Sequence, residues 1–246
     1  MINKNSILEV AGLTKSFKKK LVVDNLSFDI KEGEIWGMVG SNGVGKTTVI
    51  KMIVGLVNPD CGSVRISGHD VKSQYAKALS QVGVAFEHQY YYERLTAIQN
   101  MDLVSSLCGK ESYLPNEVLD LVGLDAKNKT KVSKFSTGMR QRIGLAIALI
   151  SKPRLIILDE PTNGLDPSGI RDLHLLIKQL AKEQGVAFLI SSHMLYDVER
   201  ICDGVLIMKD GGSVLNDYIK SIQDYYGQPL EDIYFKLTGD KREEIN

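Results

Sequence analysis

Gly40-Ser41-Asn42-Gly43-Val44-Gly45-Lys46-Thr47 reads G-x-x-x-x-G-K-[ST]. It stands between an apolar run, Glu34-Ile35-Trp36-Gly37-Met38-Val39, and the start of a helical pattern. Strand, glycine-rich loop and helix in that order make a phosphate cradle. The glycines let the backbone curl so that successive N–H groups point inward; Lys46 reaches β- and γ-phosphates, and the Thr47 hydroxyl can hold Mg²⁺. The helix opening at the loop turns the positive end of its dipole toward the same anion. A glycine-rich turn matching by accident would lack that flanking strand and helix. The stretch implies a nucleoside-triphosphate site in an α/β fold.

Composition narrows the class. A chain of 246 residues with 43% hydrophobic content can bury one sizeable core or two small ones. Its 30 Lys and Arg balance 30 Asp and Glu, so no global field draws it to nucleic acid or to an anionic membrane. Cys61, Cys108 and Cys202 lie far apart without C-x-x-C spacing, which argues against both a zinc site and a disulfide framework and predicts three reduced, buried thiols. The start, Met1 to Ser6, has no apolar core of a signal peptide, and the longest apolar stretch, Ile143 to Ile150, is far short of the ~20 residues that span a bilayer. The expectation is a soluble, intracellular protein, in which the acceptor-like Asn128-Lys129-Thr130 carries no weight.

Along the chain, short strand-like runs (Ile7 to Val10, Val22 to Ile30, Ile35 to Val39, Gly62 to Ile66) alternate with turn signals. Ile50, Ile53, Val54 and Val57 recur at helical spacing, so a long helix is expected up to Asn58-Pro59-Asp60. Between Thr96 and Lys134 the pattern is helical, broken at Gly109, Pro115 and Gly123. From Ser136 onward helices (Met139 to Ile150, Ile170 to Lys182, Met194 to Ile201) alternate with strands (Leu155 to Leu158, Val186 to Ile190, Val205 to Met208), the signature of a parallel sheet wrapped by helices. Asp210-Gly211-Gly212 marks a hairpin at the sheet edge. Beyond Asn216 the chain reads as a polar tail whose one apolar stretch is Leu230 to Leu237.

Ligands of such sheets gather outside the carboxyl ends of the strands, and four runs end in reactive groups. Met38-Val39 leads to the cradle, Val82 to Phe86 leads to Glu87, Leu155 to Leu158 leads to Asp159-Glu160, and Ala187 to Ser192 leads to His193. Asp159 suits a magnesium relay with Thr47. Glu160 can polarise an attacking water, and His193 can sense the γ-phosphate and orient that water. An acidic pair that merely caps a strand is the plain alternative, but it would not need the cradle. His69, His88 and His174 have no such company and are expected to be structural.

Ser136-Thr137-Gly138-Met139-Arg140-Gln141-Arg142 resembles the signature motif of ATP-binding cassette (ABC) proteins. Physically it is a second anion site, with Ser136 as helix N-cap and Gly138 allowing close backbone approach. The resemblance covers about residues 6 to 216. It implies an α/β fold of the P-loop NTPase (RecA-like) type, with a parallel sheet, an N-terminal antiparallel β part and a small helical subdomain. The implied layout is one cassette over 1–246: ATPase core 1–86 and 136–216, helical subdomain 87–135 and C-terminal tail 217–246. Two cassettes would pack head to tail, each signature closing over the other's ATP. In this family's terms Phe17 matches the aromatic that stacks on adenine, although a core aromatic after a first strand reads the same way. Ser41, Asn42, Gly43, Val44, Gly45, Lys46, Thr47 and Thr48 match the Walker A loop, with Ser136 and Gly138 from the signature. Glu160, His193 and Lys46 match the catalytic groups; Thr47, Glu87 and Asp159 match the holders of Mg²⁺; Gly164-Leu165-Asp166 matches the dimer-contacting loop.

Two departures stand out. The signature, usually Leu-Ser-Gly-Gly-Gln, reads Phe135-Ser136-Thr137-Gly138-Met139, and Glu87 replaces the usual glutamine. With Leu95 to Asn100 and the Leu230-Glu231-Asp232-Ile233-Tyr234 segment, that Glu is similar to exporters of the drug and bacteriocin-immunity type. The resemblance implies an ATPase subunit on the inner face of the cell membrane, bound to an integral membrane subunit and to a second cassette, with no nucleic acid. Ribosome- or DNA-acting ABC proteins carry two cassettes with a charged linker or a long inserted coiled coil, neither of which this chain has. A cassette for import, or a nucleotide sensor with little turnover, remains an alternative. Tyr90-Tyr91-Tyr92 reads equally as packing or as a docking site beside a hinge. Lys18-Lys19-Lys20 reads as a solvated turn.

Overall fold

The computed structural model describes residues 6–87, 91–108 and 113–240. His88 and Tyr90 lie outside the described residues, as do Gly109 and most of the opening segment. The elements run β1 (Ser6–Phe17), β2 (Lys20–Lys31), β3 (Ile35–Val39), α1 (Lys46–Ile53), β4 (Cys61–Ile66), β5 (His69–Asp70), α2 (Tyr75–Leu79) and β6 (Val82–Ala85). There follow α3 (Ala97–Cys108), α4 (Pro115–Leu121), α5 (Thr137–Leu149), β7 (Leu155–Asp159), α6 (Pro167–Gln184), β8 (Ala187–Ser192) and α7 (Leu195–Ile201). The last are β9 (Gly204–Lys209), β10 (Gly212–Tyr218), α8 (Ile219–Tyr226) and α9 (Leu230–Thr238).

Two sheets form. One is antiparallel, in the order β2-β1-β4-β5; its β1–β2 turn places Lys18 and Lys19 at positive φ, exposed to solvent. The other, in the order β10-β9-β3-β8-β7-β6, is parallel except for β10, which pairs antiparallel with β9 at the edge. This is the architecture of a P-loop NTPase with an antiparallel β part.

The alternation of side chains along the parallel strands explains the unbroken apolar runs. Ile35, Val39, Ile156, Leu158, Phe188, Ile190, Val205 and Ile207 enter one core, and Trp36, Met38, Leu155, Ile157, Ala187, Leu189, Leu206 and Met208 enter the other. Both faces are therefore covered, one by α5, α6, α7 and the C-terminal helices, the other by α1 and the antiparallel sheet. At about 25 cal/mol per Å² of apolar surface removed from water, burial on both faces stabilises these strands.

Close packing of helices on the sheet demands glycine at one point above all. A Cβ on Gly83 would lie 1.9 Å from the Ala148 carbonyl oxygen, so α5 can rest on β6 only because position 83 has no side chain.

Several expectations are corrected. The helix after the cradle stops at Ile53, with Val54 as its cap and Gly55 at φ +69°, short of Val57 and only eight residues long. The segment beyond Asn216 is not a loose polar tail. β10 continues to Tyr218, and Ile219, Ile222, Leu230, Ile233 and Tyr234 are buried in the core beneath α7. Cys202 is buried, but Cys61 and Cys108 are exposed. All three are free thiols.

His174, on α6, is buried with its Nε2 3.8 Å from Asp197 Oδ1. Burial holds the imidazole below its ordinary value of 6.5, and Asp197 offsets that only in part. The native state therefore refuses a proton that the unfolded chain accepts, and its stability drains away as pH falls below about 6.5. Urea midpoints followed from about pH 7.5 to 5.5 should show that slope, flattened in His174→Gln. Gly83→Ala should cost about 1–3 kcal/mol of stability, a fall of roughly 3–10 °C in Tm by calorimetry. An unchanged Tm would mean that α5 shifts freely on the sheet.

Candidate nucleotide site

Parallel register brings the chemistry to one height. Met38 and Val39 stand beside Ser191 and Ser192, and Asp159 stands beside Ser191, so β3, β8 and β7 end together. Ala85 pairs with Leu158, which leaves Glu87 just beyond β6 on the same edge.

The loop after β3 curls at Gly45, whose φ of 120° belongs to glycine and whose absent Cβ would stand 2.7 Å from the Val22 carbonyl oxygen. Val44 N–H donates to Ser41 O at 3.2 Å, and Val49 N–H donates to Gly45 O to start α1. Lys46 is 7% exposed; its Nζ donates to Gly40 O at 2.7 Å and lies 3.4 Å from Glu160 Oε1. A buried ammonium is tolerable only with such partners, so the lysine is poised at the loop with its charge matched by a carboxylate.

Asp159 is held at both oxygens. Thr47 Oγ1 donates to Oδ2 at 3.1 Å, and the Ser191 hydroxyl donates to Oδ1. Glu160 follows with φ +52°, a left-handed backbone that a residue with a side chain adopts at a cost of about 1–3 kcal/mol. Its N–H donates to both the hydroxyl and the carbonyl of Ser191, each at 3.1 Å, and these bonds hold the turn. The turn sends the Glu160 side chain back toward Lys46 and His193, whose Nδ1 lies 2.7 Å from Glu160 Oε2. Sequence reasoning missed Ser191, although two serines ending an otherwise apolar strand were the available signal.

One cleft is lined by Val22, Gly43, Lys46, Thr47, Glu87 and Glu160, with Asn42, Gly45 and Thr48. Ser41 and Val44 line an adjoining groove that shares Val22, Asn42 and Gly43 with it. Glu87 Oε1 accepts from Asn163 Nδ2 at 3.0 Å, which ties the end of β6 to the turn after Glu160. Hydroxyl and carboxylate oxygens around a phosphate-binding loop are the donor set of a hard divalent cation such as Mg²⁺, and the Thr47–Asp159 pair fits it.

Ser136 and Gly138 are not among the residues that line the cleft. Ser136 Oγ accepts from Met139 N–H at 3.3 Å and caps α5 from an exposed position. Close by, a Cβ on Gly164 would meet Thr137 at 3.1 Å and one on Gly138 would meet Leu165 at 3.5 Å, so the loop 164–166 packs against this helix start. Phe17 is 45% exposed, with Lys15 Nζ 5.4 Å from its ring centroid, which removes the core reading. Tyr91 is half-buried and Tyr92 exposed, with Tyr92 N–H donating to Asn100 Oδ1.

A family model described as ABC transporter matches residues 23–163. An ABC transporter ATP-binding protein of Bacillus subtilis, YcbN, is 43% identical over 233 residues, 94% of this chain and 74% of that one. The bacitracin transport ATP-binding protein BcrA of Bacillus licheniformis is 41% identical over 209 residues, 84% of this chain and 68% of that one. Among solved structures, an ATP-binding subunit of an ABC transporter superposes with a TM-score of 0.82 at 28% identity, covering 94% of this chain and 99% of the other.

Ser191→Ala removes the donor to Asp159 Oδ1 and one acceptor of the Glu160 N–H, all of them buried. It should cost about 1–3 kcal/mol in urea unfolding and slow phosphate release more than it weakens nucleotide binding. Turnover equal to the parent's would show that the hydroxyl does not position these carboxylates.

Proposed function

The chain belongs to the ABC transporter family and is one of its ATP-binding, ATP-hydrolysing cassettes, and from that premise we propose that it drives export of a drug or antimicrobial peptide through a separate membrane subunit. The observation that carries the assembly is the separation of two anion-binding elements. The cradle and Glu160 share one cleft, whereas the Ser136-capped helix start faces solvent outside it. A second cassette, packed head to tail, would bring its own Ser136 and Gly138 to this chain's triphosphate.

In that reading backbone N–H groups of Ser41 to Thr48 cradle the phosphates, and Lys46 gives up its contacts with Gly40 O and Glu160 to meet the β- and γ-phosphates. Phe17, exposed at the end of β1, offers its ring to adenine. Thr47, Asp159 and Glu87 would hold Mg²⁺, which when bound neutralises charge on the phosphoryl oxygens. Released from Lys46, the Glu160 carboxylate orients an attacking water, and His193 fixes the orientation of that carboxylate from 2.7 Å. ATP binding closes the pair and hydrolysis reopens it.

Support for a transporter role comes from the relatives. BcrA is named for bacitracin transport, and at 41% identity its cassette is a fair guide to the class of cargo. No helix among the described residues is long and apolar enough to cross a membrane; in the proposed assembly the separate membrane subunit supplies the translocation path. The chain would sit on the cytoplasmic face of that partner. Equal numbers of acidic and basic residues favour a protein partner over nucleic acid.

Glu160→Gln tests the central assignment. The variant should bind ATP, migrate as a dimer in size-exclusion chromatography with ATP present, and release phosphate at least about a hundredfold more slowly than the parent. Parental turnover in that variant would take the water-orienting role away from Glu160. Copurification of a multi-span protein from membranes tests the export partnership separately.

A further inference from the structure

Away from the nucleotide cleft, α6 and α7 frame a groove of about 450 Å³, within the size range of ligand sites. Leu175 on α6, Met194 just before α7 and Tyr196 on α7 line it, and they are 62%, 48% and 64% exposed. Large apolar side chains gathered around one concavity are a different matter from the same residues scattered over a surface.

The groove is framed by cations. Arg171, Lys178 and Arg200 all line it, and none of the three forms an ion pair among the described residues. Arg200 instead lies over the Tyr196 ring, 5.2 Å from its centroid, and donates to the phenol oxygen at 2.9 Å. Lys178 Nζ donates to the Arg200 carbonyl at 2.7 Å and so ties the two helices together. The one carboxylate of the groove, Asp197, is buried and turned to His174, and leaves the rim positive.

We propose that this groove is a docking site for an acidic amphipathic segment of a partner protein, its apolar side chains seated against Leu175, Met194 and Tyr196 and its carboxylates on the three cations. Charge complementarity selects that occupant. A second copy of the same face would set like charges against each other. A lipid surface is flat where the groove is concave.

The place of the groove gives docking a consequence. α6 starts directly after the loop 164–166, and α7 starts two residues after His193. An occupant clamping α6 to α7 therefore bears on both segments that flank Glu160, and we infer that it changes the rate of ATP turnover. That consequence rests on the function proposed above; the docking itself does not.

The test uses the full chain and a fluorescein-labelled synthetic helical peptide with leucines on one face and glutamates on the other, beside a counterpart with lysines for glutamates. The acidic peptide should bind saturably in fluorescence anisotropy and the basic one should not. Arg171→Glu, Arg200→Glu and Leu175→Asp should each weaken binding about tenfold, with unchanged ATP affinity and thermal melts as evidence of intact folding. Equal binding of the two peptides, absence of saturable binding, or variants that bind like the parent would overturn the proposal. So would flotation with phosphatidylglycerol vesicles in place of peptide binding, or a change in self-association by sedimentation as the variants' sole effect. Binding with no change in phosphate release would leave the docking site standing and overturn its regulatory consequence.

Discussion

The alignment of β3, β8 and β7 is the constraint on which the site depends. Because these strands are parallel and end together, the cradle leaves β3 where Asp159 leaves β7 and Ser191 closes β8. A slip of one residue would turn every side chain of a strand to the other face and bury the carboxylate among aliphatic groups. Two separate apolar cores resist that slip, since each strand has a full set of partners on both sides. Thr47 and Ser191 then bond the two oxygens of Asp159, so the polar end of the sheet is as tightly registered as its apolar middle.

The same placement leaves the Ser136 helix start exposed, outside the cleft that Lys46 and Glu160 line. Loop 164–166 packs on it through Thr137, Gly138, Gly164 and Leu165, and that loop continues the turn that follows Glu160. In the proposed pair, that packing would place one chain's phosphate-contacting helix start against the loop that follows the same chain's own Glu160.

Much of this was legible in the residues. The glycine-rich loop, the apolar strands running into Asp159-Glu160 and His193, and the Ser136 cap are local patterns with local causes, and local causes survive folding. What escaped depended on tertiary contacts. Val57 keeps helical spacing, but Gly55 takes a positive φ and the chain leaves the helix first. The C-terminal residues read as polar because only one stripe of α8 and α9 is apolar, and the stripe matters only once the surface beneath α7 is there to receive it. Cysteine exposure is likewise settled only by the folded surroundings, and Cys61 and Cys108 come out exposed. Ser191 was signalled only by the pair of serines that closes an otherwise apolar strand, and its role needs the carboxylate that the neighbouring strand presents.

The left-handed backbone at Glu160 is a local strain that the ion pair with Lys46 offsets. Glycine is the residue that backbone favours, yet glycine at position 160 would strip the buried Lys46 ammonium of its carboxylate, a loss of about 3–5 kcal/mol against the ~1–3 kcal/mol of strain it would relieve. Sturdiness and turnover therefore ask for the same carboxylate, and the strained backbone persists because the lysine beside it needs that partner.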